Sequence, residues 1–174
     1  MTRDAESFVA FFRNLNVGQR NNPTTSQLVN AFYSAGALDA FSVRGNGTVV
    51  FSAQQATRVC DDALLIVQSV CAYSGIAMVR PLSRVLQLAE EFDTSEVVSR
   101  LELSVFDHVE SFPVALPASG RRCRIVMAGR DYAITENERE NESNATSVLE
   151  RILQVPVTSR GAPTILRLAA RAIG

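Results

Sequence analysis

The chain has no lysine, no tryptophan, a single histidine and three cysteines among its 174 residues. Each scarcity removes a class of chemistry. All 17 basic residues are arginine, which rules out a Schiff-base lysine, a lysine general base and the lysine of a phosphate-binding loop. One histidine, His108, with no paired Cys/His spacing leaves no ligand set for a structural zinc, so neither metal nor cofactor is expected. Cys60 and Cys71 stand 11 positions apart in one helical segment. That spacing is about 16 Å along a helix axis, too far for a disulfide. No apolar run approaches the roughly 18 residues of a membrane span. The first seven residues lack the basic run and apolar core of a signal peptide, so the cytoplasm is the expected location. The nucleophile-elbow, zinc-protease, phosphate-loop and dinucleotide motifs are all missing.

What remains is an ordinary globular composition, 47% apolar and 20% charged, with a net charge of −1. Residues 8–13 alternate, Phe8, Ala10 and Phe12 on one face and Val9, Phe11 and Arg13 on the other, as a strand does. Pro23 and the hydroxyls of Thr24, Thr25 and Ser26 introduce a helix that carries Leu28, Ala31 and Phe32 and stops at Gly36. An extended piece at 41–43, the turn Gly45-Asn46-Gly47 and a strand at 48–51 follow. Ser52 with Gln55 has the spacing of a capping box for a second helix, which Gly75 ends before a strand at 76–79. This is a βαββαβ order, the ferredoxin-like arrangement, over residues 1–80.

Residues 81–174 read as a second α+β half with a C-terminal helix. A helix from Pro81, a strand at 101–105 and a stretch broken by Pro113 and Pro117 come first. Strands at 123–128 and 132–135 join through Gly129. Residues 136–146 contain almost no apolar side chains and are expected to form a solvated, mobile loop. A helix at 147–153, the piece 157–160 and a last helix from Pro163 complete the chain.

Three segments stand out: Arg13-Asn14-Leu15-Asn16-Val17-Gly18-Gln19-Arg20-Asn21 after the first strand, Gly45-Asn46-Gly47-Thr48-Val49-Val50-Phe51, and Val155-Pro156-Val157-Thr158-Ser159-Arg160 near the end. Together they resemble the uncharacterised bacterial family called "domain of unknown function 1697". The resemblance implies two ferredoxin-like halves with antiparallel sheets and brings no activity with it. Asn14, Leu15 and Gln19 stand where Gly, Ile and Gly are typical. Gly161-Ala162-Pro163 replaces the family's Asn-Trp-Asn, and Ser143-Asn144-Ala145-Thr146 lacks the usual lysine. These departures bear on any site the family shares.

The leading functional expectation is a non-catalytic binding module for a small anionic ligand, phosphate- or carboxylate-bearing. Its site would combine Arg13, Asn16, Gly18 and Arg20, on a turn leading into a helix N-terminus, with Arg160. The alternative is a protein-interaction or scaffold domain, with a homodimer through a sheet face near Phe11 and Val50. RNA binding is disfavoured. The third strand has Asn46 and Thr48 where RNA-recognition domains carry stacking aromatics, leaving only Phe11. An enzyme would have to use arginine electrostatics with a carboxylate or His108. Cys123, inside Arg121-Arg122-Cys123-Arg124, is either a thiolate activated by guanidinium groups or a core residue in register with Ile125 and Met127.

Overall fold

The alternating run at the start of the chain becomes β1 (Glu6–Phe12), an inner strand of a four-stranded antiparallel sheet. A computed structural model describes residues 5–93 and 95–174. After β1 come α1 (Thr25–Ser34), β2 (Asp39–Arg44), β3 (Thr48–Ala53), α2 (Ala56–Val70) and β4 (Ala77–Pro81), in sheet order β2-β3-β1-β4. Phe8, Ala10 and Phe12 of β1 face a core shared with Phe51, Phe32 and the inner faces of both helices. Phe32 lies 4.8 Å from Phe51 and 6.0 Å from Phe12, ring centre to ring centre. Val9, Phe11, Val50 and Met78, on the opposite face, are buried as well. Both faces of β1 therefore read as apolar in sequence.

Local chemistry fixes the element ends. Thr24 and Gln27 close α1 with a full capping box, Thr24 N–H to Gln27 Oε1 at 2.8 Å and Gln27 N–H to Thr24 Oγ1 at 3.2 Å. Gly47 turns β2 into β3 at a φ of +68°, and a Cβ there would lie 2.9 Å from Phe12 Cβ. The expected capping box at Ser52 and Gln55 does not form. Gln55 takes the N-cap of α2 without a side-chain bond, because Ser52 is still in β3 and its hydroxyl pairs across the sheet with Ser7 at 2.9 Å.

A second compact unit starts at Leu88, inside α3 (Leu82–Asp93), and a short 3-10 helix (Val98–Arg100) follows. The unit continues with β5 (Leu101–Phe106), β6 (Ala118–Gly120), β7 (Cys123–Ala128), β8 (Tyr132–Asn137), α4 (Ala145–Leu153), β9 (Val157–Gly161) and α5 (Ala162–Ile173). Its five-stranded antiparallel sheet has the order β6-β7-β8-β5-β9. The chain is thus an α+β protein with two antiparallel sheets.

The second unit departs from the expected βαββαβ order. No helix lies between β5 and β7 among the described residues, and the interval holds the irregular segment 107–117 and the three-residue β6. Pro113 and Pro117 make that interval hostile to a helix. Phe106, Cys123, Ile125, Ala133, Val148, Leu149 and Val157 form the core beneath α4.

Candidate anion-binding site

The turn between β1 and α1 is internally bonded. The N–H groups of Arg13, Val17 and Gly18 donate to the carbonyls of Ile76, Gly45 and Pro23, each at 2.8 Å. Asn22 Oδ1 accepts from the Asn16 N–H at 3.2 Å, and Tyr73 Oη donates to the Arg13 carbonyl at 2.6 Å. Asn14, Gly18 and Asn21 adopt positive φ, which glycine and asparagine tolerate, while Leu15 plugs the turn into the core. Because α1 is capped and the turn amides are largely used, a ligand here would meet side chains rather than backbone donors. Asn16, Gln19 and Arg20 are exposed, and Arg13 is half-buried. Arg160 lies on β9, buried, its Nη1 donating to Thr158 Oγ1 at 2.9 Å and to the Ser159 carbonyl at 2.8 Å.

A different set of cations gathers in the second unit. Arg100, at the end of the 3-10 helix, places Nη2 2.7 Å from Glu136 Oε1, and Arg124 of β7 places Nη2 2.9 Å from Glu136 Oε2. The two guanidinium groups thus hold one carboxylate by its two oxygens. They line an open cleft of about 310 Å³ together with Asn137, Glu138 and Cys123. Ser119 and Gly120 of β6 form another wall, and a Cβ at Gly120 would meet Val148 of α4 at 2.6 Å. Arg122 pairs with Glu138 at 3.9 Å and with Glu142.

Beside this cleft lies a buried polar network. Glu102, 4% exposed, accepts from Ser143 Oγ at 2.6 Å, from Asn137 Nδ2 at 2.9 Å and from the Ala145 N–H at 3.3 Å. Ser159 Oγ lies 2.7 Å from both Ser104 Oγ and Thr146 Oγ1. Segments 143–146 and 155–160, singled out separately by their sequence, therefore meet over β5. The loop expected at 136–146 is shorter: β8 runs to Asn137, α4 begins at Ala145, and residues 138–141 between them are exposed, while Asn137 and Ser143 bond inward to Glu102.

The other candidates separate cleanly. Cys123 is core: burial first, then Glu102 and Glu138, raises its pKa above the ordinary thiol value, the reverse of activation by arginine. His108 is exposed on segment 107–117. Phe11 is 1% exposed, so it presents no ring for base stacking. No group of three or more His, Cys, Asp or Glu among the described residues is placed to hold a metal ion. A cleft of about 440 Å³ opens at the uncapped start of α2, with Arg58, Gln54, Gln55 and Gly36 on its walls. No helix is long and apolar enough to cross a membrane among the described residues.

The sequence singled out Arg124 only as a neighbour of Cys123 and did not connect Arg100 or Glu136 to it. A β-bulge between Ile125 and Met127 shifts the hairpin register by one residue, pairing Arg124 with Glu136. Regular counting outward from the Ala128–Ala133 pair would set Glu136 opposite Ile125.

Comparison with known proteins adds family and fold. A family model described as "Protein of unknown function (DUF1697)" matches residues 5–110, more than half of the chain. No curated protein matches. Among solved structures, the conserved bacterial protein SP0830 from Streptococcus pneumoniae superposes with a TM-score of 0.65 at 12% identity. The match covers 98% of this chain and 99% of that one, and it shows a shared fold.

Proposed function

We propose that this chain, which belongs to the DUF1697 family of proteins of unknown function, is a non-catalytic binding module for a small anionic ligand, with its seat in the second-unit cleft. One observation carries the reading: guanidinium groups from two separate segments, Arg100 and Arg124, close on the two oxygens of a single carboxylate in an open cleft. Planar guanidinium forks match carboxylate and phosphate oxygens, and the cleft already holds one such group. Burial, then Glu102 and Glu138, raises the pKa of its wall thiol, Cys123, which disfavours the nucleophilic thiolate. The turn carrying Arg13, Asn16, Gly18 and Arg20 is a weaker seat, since most of its amides are engaged internally.

In architecture the first unit is read as a ferredoxin-like half, on its βαββαβ order and its β2-β3-β1-β4 sheet. The second is read as the same arrangement with its first crossover helix replaced by segment 107–117. Three free cysteines favour a reducing, cytoplasmic setting. The scaffold reading has less support. The large apolar side chains left exposed, such as Leu38, Leu65 and Ile173, are spread over different elements.

A thermal-shift screen against phosphate and carboxylate compounds tests the site. A ligand at 100 times its dissociation constant should stabilise the wild type by about 2.7 kcal/mol, and Arg100→Ala and Arg124→Ala should abolish the shift. A shift that survives both substitutions but disappears in Arg20→Ala or Arg160→Ala would move the seat away from the cleft.

A further inference from the structure

Resting on that anion-binding reading, we infer that Glu136 is an internal competitor and that the ligand it selects carries a terminal phosphate dianion. Two guanidinium groups, Arg100 and Arg124, and two carboxylates, Glu136 and Glu138, line the cleft, so their charges balance. Glu138 has its own partner in Arg122, whereas Glu136 is the carboxylate seated between Arg100 and Arg124. An entering anion must therefore take the place of Glu136.

A free monocarboxylate replaces Glu136 like for like, with the same charge and the same two oxygens. Glu136 has the advantage of being tethered, at an effective concentration of about millimolar or more. The monocarboxylate loses that exchange. A phosphate monoester brings a charge of about −1.5 to −2 at neutral pH and three acceptor oxygens. It can satisfy both guanidinium forks with more charge than the side chain it displaces. Glu136 has 18% of its side chain exposed, which gives it a solvent-facing side toward which to turn. Glu136 thus sets a displacement cost common to every anion, and the extra charge and third oxygen of the phosphate are what meet it.

The test is a set of titrations at pH 7.5, followed by amide chemical shifts, with phenyl phosphate, inorganic phosphate and benzoate as probes. Wild-type protein should bind phenyl phosphate at least about tenfold tighter than benzoate. Glu136→Gln and, as a second variant, Glu136→Ala should raise benzoate affinity about tenfold, with phenyl phosphate affinity rising alongside it. Inorganic phosphate binding as tightly as phenyl phosphate would support the inference and assign recognition to the phosphoryl group alone. Equal wild-type affinities for phenyl phosphate and benzoate would overturn the phosphate preference, and benzoate binding unchanged in both variants would overturn the competitor role, while either result leaves anion binding intact. No binding of any probe to the wild type or to either variant would overturn the anion-binding reading itself, and this inference with it.

Discussion

At the scale of single residues, Glu102 is the side chain whose loss should be felt most. Its carboxylate is the acceptor for Ser143, Asn137 and the first amide of α4, in a site with almost no water access. Glu102→Ala strands those donors, and we expect a loss of about 3 kcal/mol in urea unfolding. An unchanged midpoint would show that the network is not formed. Cys60 gives a pH signature. Burial, and secondarily Asp61, pushes its thiol from 9.0 up to about 12. Because the folded-state pKa is raised, the contribution is intact below pH 9 and is lost as the pH climbs toward 12. The slope there is about 1.4 kcal/mol per pH unit. Cys60→Ala should lack that slope, so the difference between the wild-type and variant unfolding profiles should change by it across this pH range. A parallel pair of profiles would contradict the assignment. Cys123 was legible as core from its period with Ile125, but the polar role of Glu102 was not, because a glutamate in a strand pattern reads as surface until its partners are placed.

The elements separate what neighbours in sequence decide from what distant pairing decides. The cap of α1 depends on Thr24 and Gln27 alone and was visible in the run Pro23-Thr24-Thr25-Ser26. Thr24→Ala should cost about 1 kcal/mol by thermal or urea unfolding. The cap expected for α2 used residues with the right spacing. A strand partner, Ser7, claims the Ser52 hydroxyl instead, and no local pattern reveals that competition. The β-bulge in β7 hid the Arg124–Glu136 pair in the same way.

Sheet edges tell against strand addition as a mode of partner binding. On β2, Tyr33 Oη accepts from the Ala40 N–H at 3.2 Å, and Ser42 Oγ donates to the Arg44 carbonyl at 3.1 Å. At the other edge β4 ends in Pro81, on β9 Glu150 Oε1 accepts from the Val157 N–H at 3.1 Å, and β6 is three residues long. These are the devices that blunt an edge against another chain.

For the whole molecule, the α+β class and the βαββαβ order of the first unit followed from hydrophobic period and turn residues. The missing crossover helix in the second unit left only an indirect trace, the prolines at 113 and 117. The segment 136–146 looked featureless because its order comes from Glu102, Asn137 and Arg122, and polar bonding has no sequence period. The same circumstance hid the cleft, whose charged residues come from the 3-10 helix, β7, β8 and the residue after it. The most direct measurement is therefore a residue-resolved map of phosphate binding on the intact protein by amide chemical shifts. Anion binding in the second-unit cleft requires the perturbations to centre on residues 100, 119–124 and 136–138. Perturbations confined to residues 13–22 or 54–59, or none at saturating phosphate, would contradict it.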